Sequence, residues 1–238
     1  MIPKFRFHVF EPATNALRFG TSVFAWGLCL AAAWILLVEL IGPTLPIFPN
    51  DAAAIEAAAP HRSSAKVAAW IGLIRGSLWA DYAMTLAPAV SGALADKAAS
   101  SLAALDSTRN AAVRAVELAP HDPRAWLLIA EVDSRGLQHN PAGALKMSYY
   151  TGPNELSLIP LRIKIATETD AITDSELQIL VGGEIRKIIT RRPELKPFII
   201  AAYRSALPEG KRFIESQVGE LDPDLLAIIR AAEPLTTR

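Results

Sequence analysis

Residues 20–42 read GTSVFAWGLCLAAAWILLVELIG, and this stretch decides how the rest of the chain is arranged. From Phe19 to Val38 there is no charged residue, and Glu39 is the only charge between Arg18 and Asp51. A helix rises about 1.5 Å per residue, so such a run extends roughly 35 Å and crosses a bilayer core with some tilt. Hydrocarbon offers the backbone no hydrogen-bond partner, and a helix pairs its own N–H and C=O groups. The stretch is expected to be a single transmembrane anchor, because core helices usually show a polar stripe.

The flanks set an expected orientation. The arm, residues 1–19, carries Lys4, Arg6 and Arg18 against Glu11, whereas 43–60 has only Asp51 and Glu56. Positive residues favour the cytoplasmic side. The N-terminus is therefore expected in the cytoplasm and the C-terminal domain in the periplasm, as for a single-pass protein of a bacterial inner membrane. A cleaved signal peptide is the competing reading, with Ala52-Ala53-Ala54 and Ala57-Ala58-Ala59 as small-residue sites. The apolar run is longer than a usual signal core and these sites lie well past its end, which favours an uncleaved anchor. Trp26 and Trp34 suit lipid-facing aromatics near the interfaces, with a partner-helix contact as the alternative.

Pro43, Pro46 and Pro49 stop the helix, since proline lacks an N–H and disfavours helix at the residue before it. Residues 43–62 read as a Pro/Ala-rich linker, weakly structured from Ala52 to Arg62, and residues 63–238 as the soluble domain. Lys+Arg and Asp+Glu balance at 24 each, which argues against nucleic acid as a partner. The chain is 51% apolar and rich in Ala and Leu, the best helix formers, so the expected class is all-α. The single cysteine, Cys29, lies in the anchor, so the domain has no thiol for catalysis or metal.

Within the domain, Val67, Trp70, Ile71, Ile74, Leu78, Tyr82 and Leu86 recur at steps of three and four and predict one inward helix face ending at Pro88. A second helix is predicted from Ala93 to Leu105, a break at Asp106-Ser107, and a third from Thr108 to Leu118. Asp122 can cap a fourth helix opened by Pro123, and Pro141 opens a fifth. Thr151 to Asn154 forms a turn before a helix over 156–167.

The stretch Ala111 to Ala130, AAVRAVELAPHDPRAWLLIA, resembles the junction between tetratricopeptide repeats, whose 34-residue unit is two antiparallel helices. Ala115, Pro120 and Trp126 occupy the places of the small crossing residue, the closing proline and the opening aromatic. Ile129-Ala130 and Ala142 match the apolar and small positions that follow, and Pro153-Asn154 falls one repeat after Pro120. Gly92 and Asp133 depart from the pattern, standing where aromatics are usual. The resemblance covers about residues 92–155 and implies an α-solenoid that binds other proteins; a generic helical-hairpin bundle is the alternative. Beyond Glu168 the pattern is lost, and 168–238 reads as a helical cap.

In that cap, Thr173-x-x-Glu176 is a capping-box pattern for a helix with Leu177, Leu180, Val181, Ile185, Ile188 and Ile189 on one side. Gly182-Gly183 marks a close helix crossing. Pro193 ends that helix, Pro208 opens another, and Asp222-Pro223 starts the last.

Chemistry is sparse. His8, His61, His121 and His139 have no ligand spacing among them, and no phosphate loop, dinucleotide fingerprint or nucleophile elbow occurs. No enzyme activity, cofactor or metal is expected. Arg186, Lys187, Arg191, Arg192 and Lys196 form a cation cluster that either contacts an anion or complements a helix C-terminus. Trp126, Tyr149, Tyr150 and Arg162 are the candidates for a partner groove. The expected function is a membrane-tethered periplasmic adaptor or scaffold of the cell envelope, with an accessory role in polysaccharide synthesis or export as the expected setting. The alternatives are a small subunit that packs by its anchor in a membrane complex, and a carbohydrate-active enzyme on a helical scaffold.

Overall fold

Helix α1 (Glu11–Ile41) contains a stretch, Ala16–Ile41, long and apolar enough to cross a membrane. Within that stretch only Val38 is buried, so α1 is not the core helix of the domain. The computed structural model describes residues 11–41, 52–92, 99–135 and 140–231. Lys4, Arg6, the linker prolines Pro43, Pro46 and Pro49, the expected helix start at Ala93, and His8 and His139 lie outside them. Every regular element among the described residues is helical.

The expected weak structure from Ala52 to Arg62 is instead α2 (Ala52–Ala58) and a 3-10 turn, Ala59–His61. Alanine favours helix, and Pro60 sits in the opening turn of its element, where a missing N–H costs nothing. The single helix expected up to Pro88 is two, α3 (Arg62–Ile71) and α4 (Gly76–Gly92). Leu73, at φ 46°, breaks them in the left-handed region. The face read as inward is therefore discontinuous. Ala65, Ala68 and Ala69 are the buried residues of α3, while Val67, Trp70 and Ile74 are exposed. Helix α4 also runs on through Pro88. Proline has no N–H to give the Met84 carbonyl four residues earlier; the neighbouring carbonyl, Thr85 O, accepts from the Arg62 guanidinium at 3.2 Å.

Helix α5 (Ala99–Leu118) is continuous across the expected break at Asp106-Ser107. Ser107 and Thr108 turn their hydroxyls back to Ala103 O and Ala104 O at 2.8 Å, so neither competes with the helix as a cap. The turn to α6 (Pro123–Ser134) follows the sequence reading. Asp122 accepts from Arg124 N at 2.9 Å, Pro123 opens the helix, and Trp126 donates its indole N–H to Pro120 O. The order continues with α7 (Ala142–Thr151), α8 (Ile159–Glu168), α9 (Ser175–Arg191), α10 (Lys196–Ser205), α11 (Pro208–Leu221) and α12 (Pro223–Ala231). The cap of α9 is Asp174, which accepts from Glu176 N and Leu177 N. Thr173 bonds back to Asp170 O instead and makes no capping box.

Paired side chains fix the directions of the hairpins. Arg109 meets Asp133 at 2.7 Å, so α5 and α6 run antiparallel about the 119–122 turn. Ser148 reaching Pro123 O does the same for α6 and α7, and Arg230 meeting Glu215 for α11 and α12. From α8 onward pairing is no longer purely sequential, because α8 touches α10 and α11 as well as α9. Two apolar clusters result. One joins α4, α5 and α6 around Met84, Leu105, Ala115 and Leu128. The other runs from α6 to α12 around Leu127, Leu145, Leu158, Ile185 and Ile214. Helix α6 serves both. A small third cluster, Val38 with Ala68, Ala69 and Leu78, holds the end of α1 against α3 and α4.

Candidate partner surface

Glu184 interrupts the apolar side of α9, one turn from Val181 and Ile188, and all three are buried. A carboxylate there needs partners, because burying an unpaired charge is costly. Arg162 on α8 supplies Nη1 at 3.2 Å from Glu184 Oε1, and Tyr149 on α7 donates its hydroxyl to Oε2 at 2.9 Å. The rest of the guanidinium is satisfied by Ser148 Oγ, Ser148 O and Gly152 O, and it lies over the Tyr149 ring at 4.7 Å. Burial pushes the Glu184 carboxyl up to about 7, against the opposing pull of Arg162. Burial, with the neighbouring Glu184 charge, also drives the Tyr149 phenol well above its ordinary value.

This network answers for two of the four expected groove residues. Arg162 has no solvent exposure and Tyr149 is buried, so neither is offered to a partner. They lock α7, α8 and α9 together. Tyr150 is exposed and donates to Glu176, which with Asp174 holds Lys146. The Glu176 carboxyl is held below its usual range by Tyr150 and then Lys146. Trp126 is half-buried on α6, whose start packs against the end of α7, and its indole N–H is taken up by Pro120 O. The four therefore do not share an open groove. Glu184, the residue that explains Arg162, is absent from the expected set; its signal is a carboxylate on an apolar helix face.

The expected cation cluster also disperses. Lys196 pairs with Asp222 at 2.8 Å, Arg192 lies 3.5 Å from Glu194, and Lys187 reaches Pro153 O at 3.3 Å. Arg191 lies in the last turn of α9, where a cation complements the helix dipole. Arg186 lines a groove.

That groove lies between α9 and α11 and encloses about 480 Å³. Its walls combine apolar Ile179 and Phe213, the amides of Gln178 and Gln217, hydroxyls of Ser175 and Ser216, and the Arg186 cation. The expected close crossing at Gly182-Gly183 is half realised. A Cβ on Gly182 would come 2.9 Å from Gln217 Oε1, while one on Gly183 would meet nothing within 4 Å. The two glycines thus form a bare floor. Such a surface can hydrogen-bond a peptide backbone, cover one apolar side chain and pair one carboxylate.

Two further buried ion clusters stabilise the other half. Arg124 bridges Asp81 at 3.0 Å and Asp122 at 2.9 Å, and burial raises the Asp81 carboxyl despite Arg124. Asp133 accepts from Arg109. Among the described residues, no group of three His, Cys, Asp or Glu side chains is placed to hold a metal ion. No protein-family model matches the chain, and neither a curated protein nor a solved structure matches it.

Proposed function

We propose that this protein is a non-enzymatic, single-pass adaptor whose helical domain is held at a membrane and binds an acidic peptide segment of a partner protein. The observation that carries this reading is the placement of α1. A helix apolar enough to span a bilayer stays exposed along its length, yet its last turn packs onto the domain through Val38. Glu39 adds an ion pair to Arg75 at 2.7 Å. Tethering confines the domain to the membrane and raises the effective concentration of any partner held there. The charge flanking α1 supports an N-terminus in the cytoplasm and a domain in the periplasm of a bacterial cell. The hairpins of α5, α6 and α7 support the tetratricopeptide-like reading of residues 92–155. The α9–α11 groove, with Arg186 on its wall, is the binding surface.

The test is in-cell photo-crosslinking of the full chain from position 179, with and without Arg186→Glu. A defined adduct that is lost on charge reversal is expected. No adduct, or one indifferent to Arg186, overturns the groove assignment. A periplasm-dependent reporter fused after Arg238 tests orientation, and its silence overturns the periplasmic placement.

A further inference from the structure

Helix α3 presents two faces of unlike character. Ala65, Ala68 and Ala69 are buried toward α1 and α4, whereas Val67 and Trp70 point away from the core. The turn that follows adds Leu73 and Ile74, so the patch runs on past the helix end. Trp70 is 65% exposed and Ile74 81% exposed, in the part of the domain that touches α1. The patch is also basic at its margin. Between Glu56 and Asp81 there is no acidic residue and Lys66 is exposed, while Arg75 pairs with Glu39 of α1 and Arg62 donates to Thr85 O.

The height of this patch relative to a bilayer follows from α1. Its apolar stretch, Ala16–Ile41, has 26 residues. At about 1.5 Å per residue it is roughly 39 Å long, against a hydrocarbon core of about 30 Å. Its ends therefore reach the headgroup layers, and the turn around Val38 and Ile41 is the one that packs on α3. Tryptophan and aliphatic side chains flanked by cations are the composition that partitions into this layer. Trp70 is backed by Trp79, with ring centroids 6.0 Å apart.

We propose that the outward face of α3 and the α3–α4 turn inserts into the headgroup layer of the membrane that α1 spans. The occupant of the patch is phospholipid. Continuity with the end of α1 favours lipid over a second copy of the chain, since any surface at this height meets headgroups first. Lys66 then lies where lipid phosphates do, and anionic lipid strengthens the contact. The domain is held against the bilayer at two places, the span and this face, and its orientation is fixed. The inference rests on α1 spanning the membrane.

The test uses the full chain in nanodiscs of phosphatidylethanolamine and phosphatidylglycerol, in a Cys29→Ala background. Single spin labels are placed through Ile74→Cys and, separately, Val67→Cys. Leu28→Cys reports the centre of the span, and Ile179→Cys reports a surface distant from it. The ratio of oxygen to nickel-chelate accessibility is read for each. Labels at 74 and 67 are expected several-fold above the label at 179 and below that at 28. A ratio at 74 and 67 equal to that at 179, with 28 in lipid, overturns this inference and leaves the span standing. A water-exposed label at 28 overturns both. Shielding from both reagents with spin–spin broadening assigns the face to a second copy and also overturns it.

Discussion

Arg162 and Glu184 meet at 3.2 Å, 22 residues apart in sequence, and neither side chain has meaningful contact with water. The carboxyl is nonetheless pushed up to about 7 by burial. Its folded-state value lies above the ordinary 4.5, so its contribution is complete below about 4.5 and is lost as pH rises through about 7. Stability of the full chain in detergent should fall across that window by at most about 3 kcal/mol from this group. Glu184→Gln should flatten the slope in denaturant midpoints measured from acid to neutral pH. An unchanged slope in that variant would assign the dependence elsewhere.

Removing one member of the pair should be far worse than removing both. Arg162→Met leaves Glu184 buried beside an apolar chain and is expected to cost about 3–5 kcal/mol. Adding Glu184→Leu should recover most of that loss, because no uncompensated charge remains. Equal losses in the single and double variants, read by chemical unfolding, would contradict a coupled pair.

Two glycines should respond oppositely to alanine. A Cβ at Gly210 would lie 2.2 Å from Thr167 O, a backbone atom that cannot swing aside. Gly210→Ala should therefore destabilise by about 1–3 kcal/mol as α8 and α11 are forced apart. Gly183 has open space around it inside a helix, and Gly183→Ala should stabilise by about 0.5–1 kcal/mol. Thermal melts of the two variants check the signs.

Asp122 both caps α6 and holds the Arg124 guanidinium. Asp122→Ala removes the cap, worth about 1 kcal/mol, and leaves Arg124 to Asp81. The total loss should be about 2–3 kcal/mol, larger than a cap alone. Asp122→Asn, which keeps a cap oxygen, should recover the capping part. If the two variants melt together, the capping role is wrong.

The sequence was most legible where a residue acts through its own backbone. Asp122-Pro123 and Asp222-Pro223 open helices because a carboxylate and a proline suit the N-terminus whatever packs nearby. It was least legible where two backbone solutions compete. Asp106-Ser107 looks like a break with a new helix from Thr108, but the hydroxyls of Ser107 and Thr108 bond one turn back within α5. Leu73 gives no local sign of its left-handed backbone, so α3 and α4 read as one. The candidate groove failed for a different reason. Arg162 looks like a surface cation until Glu184 is brought to it by the packing of α8 on α9, which no local pattern encodes. Arg186 and Gly182-Gly183 were visible in the sequence, but not the Ile179, Phe213 and Gln217 walls that make them part of one groove.

Helix α6 has apolar residues turned to both large clusters, with Leu127 and Ala130 on one and Leu128, Ile129 and Val132 on the other. A cut after Ser134 would strip Leu127 of its neighbours in α7 and beyond, and a cut before Pro123 would do the same to the first half. Neither half owns this helix, so among the described residues a cut on either side of α6 leaves one of the two large cores incomplete. The amides of α6 should exchange with solvent only when the whole domain opens, and the domain should melt in one transition despite its two cores.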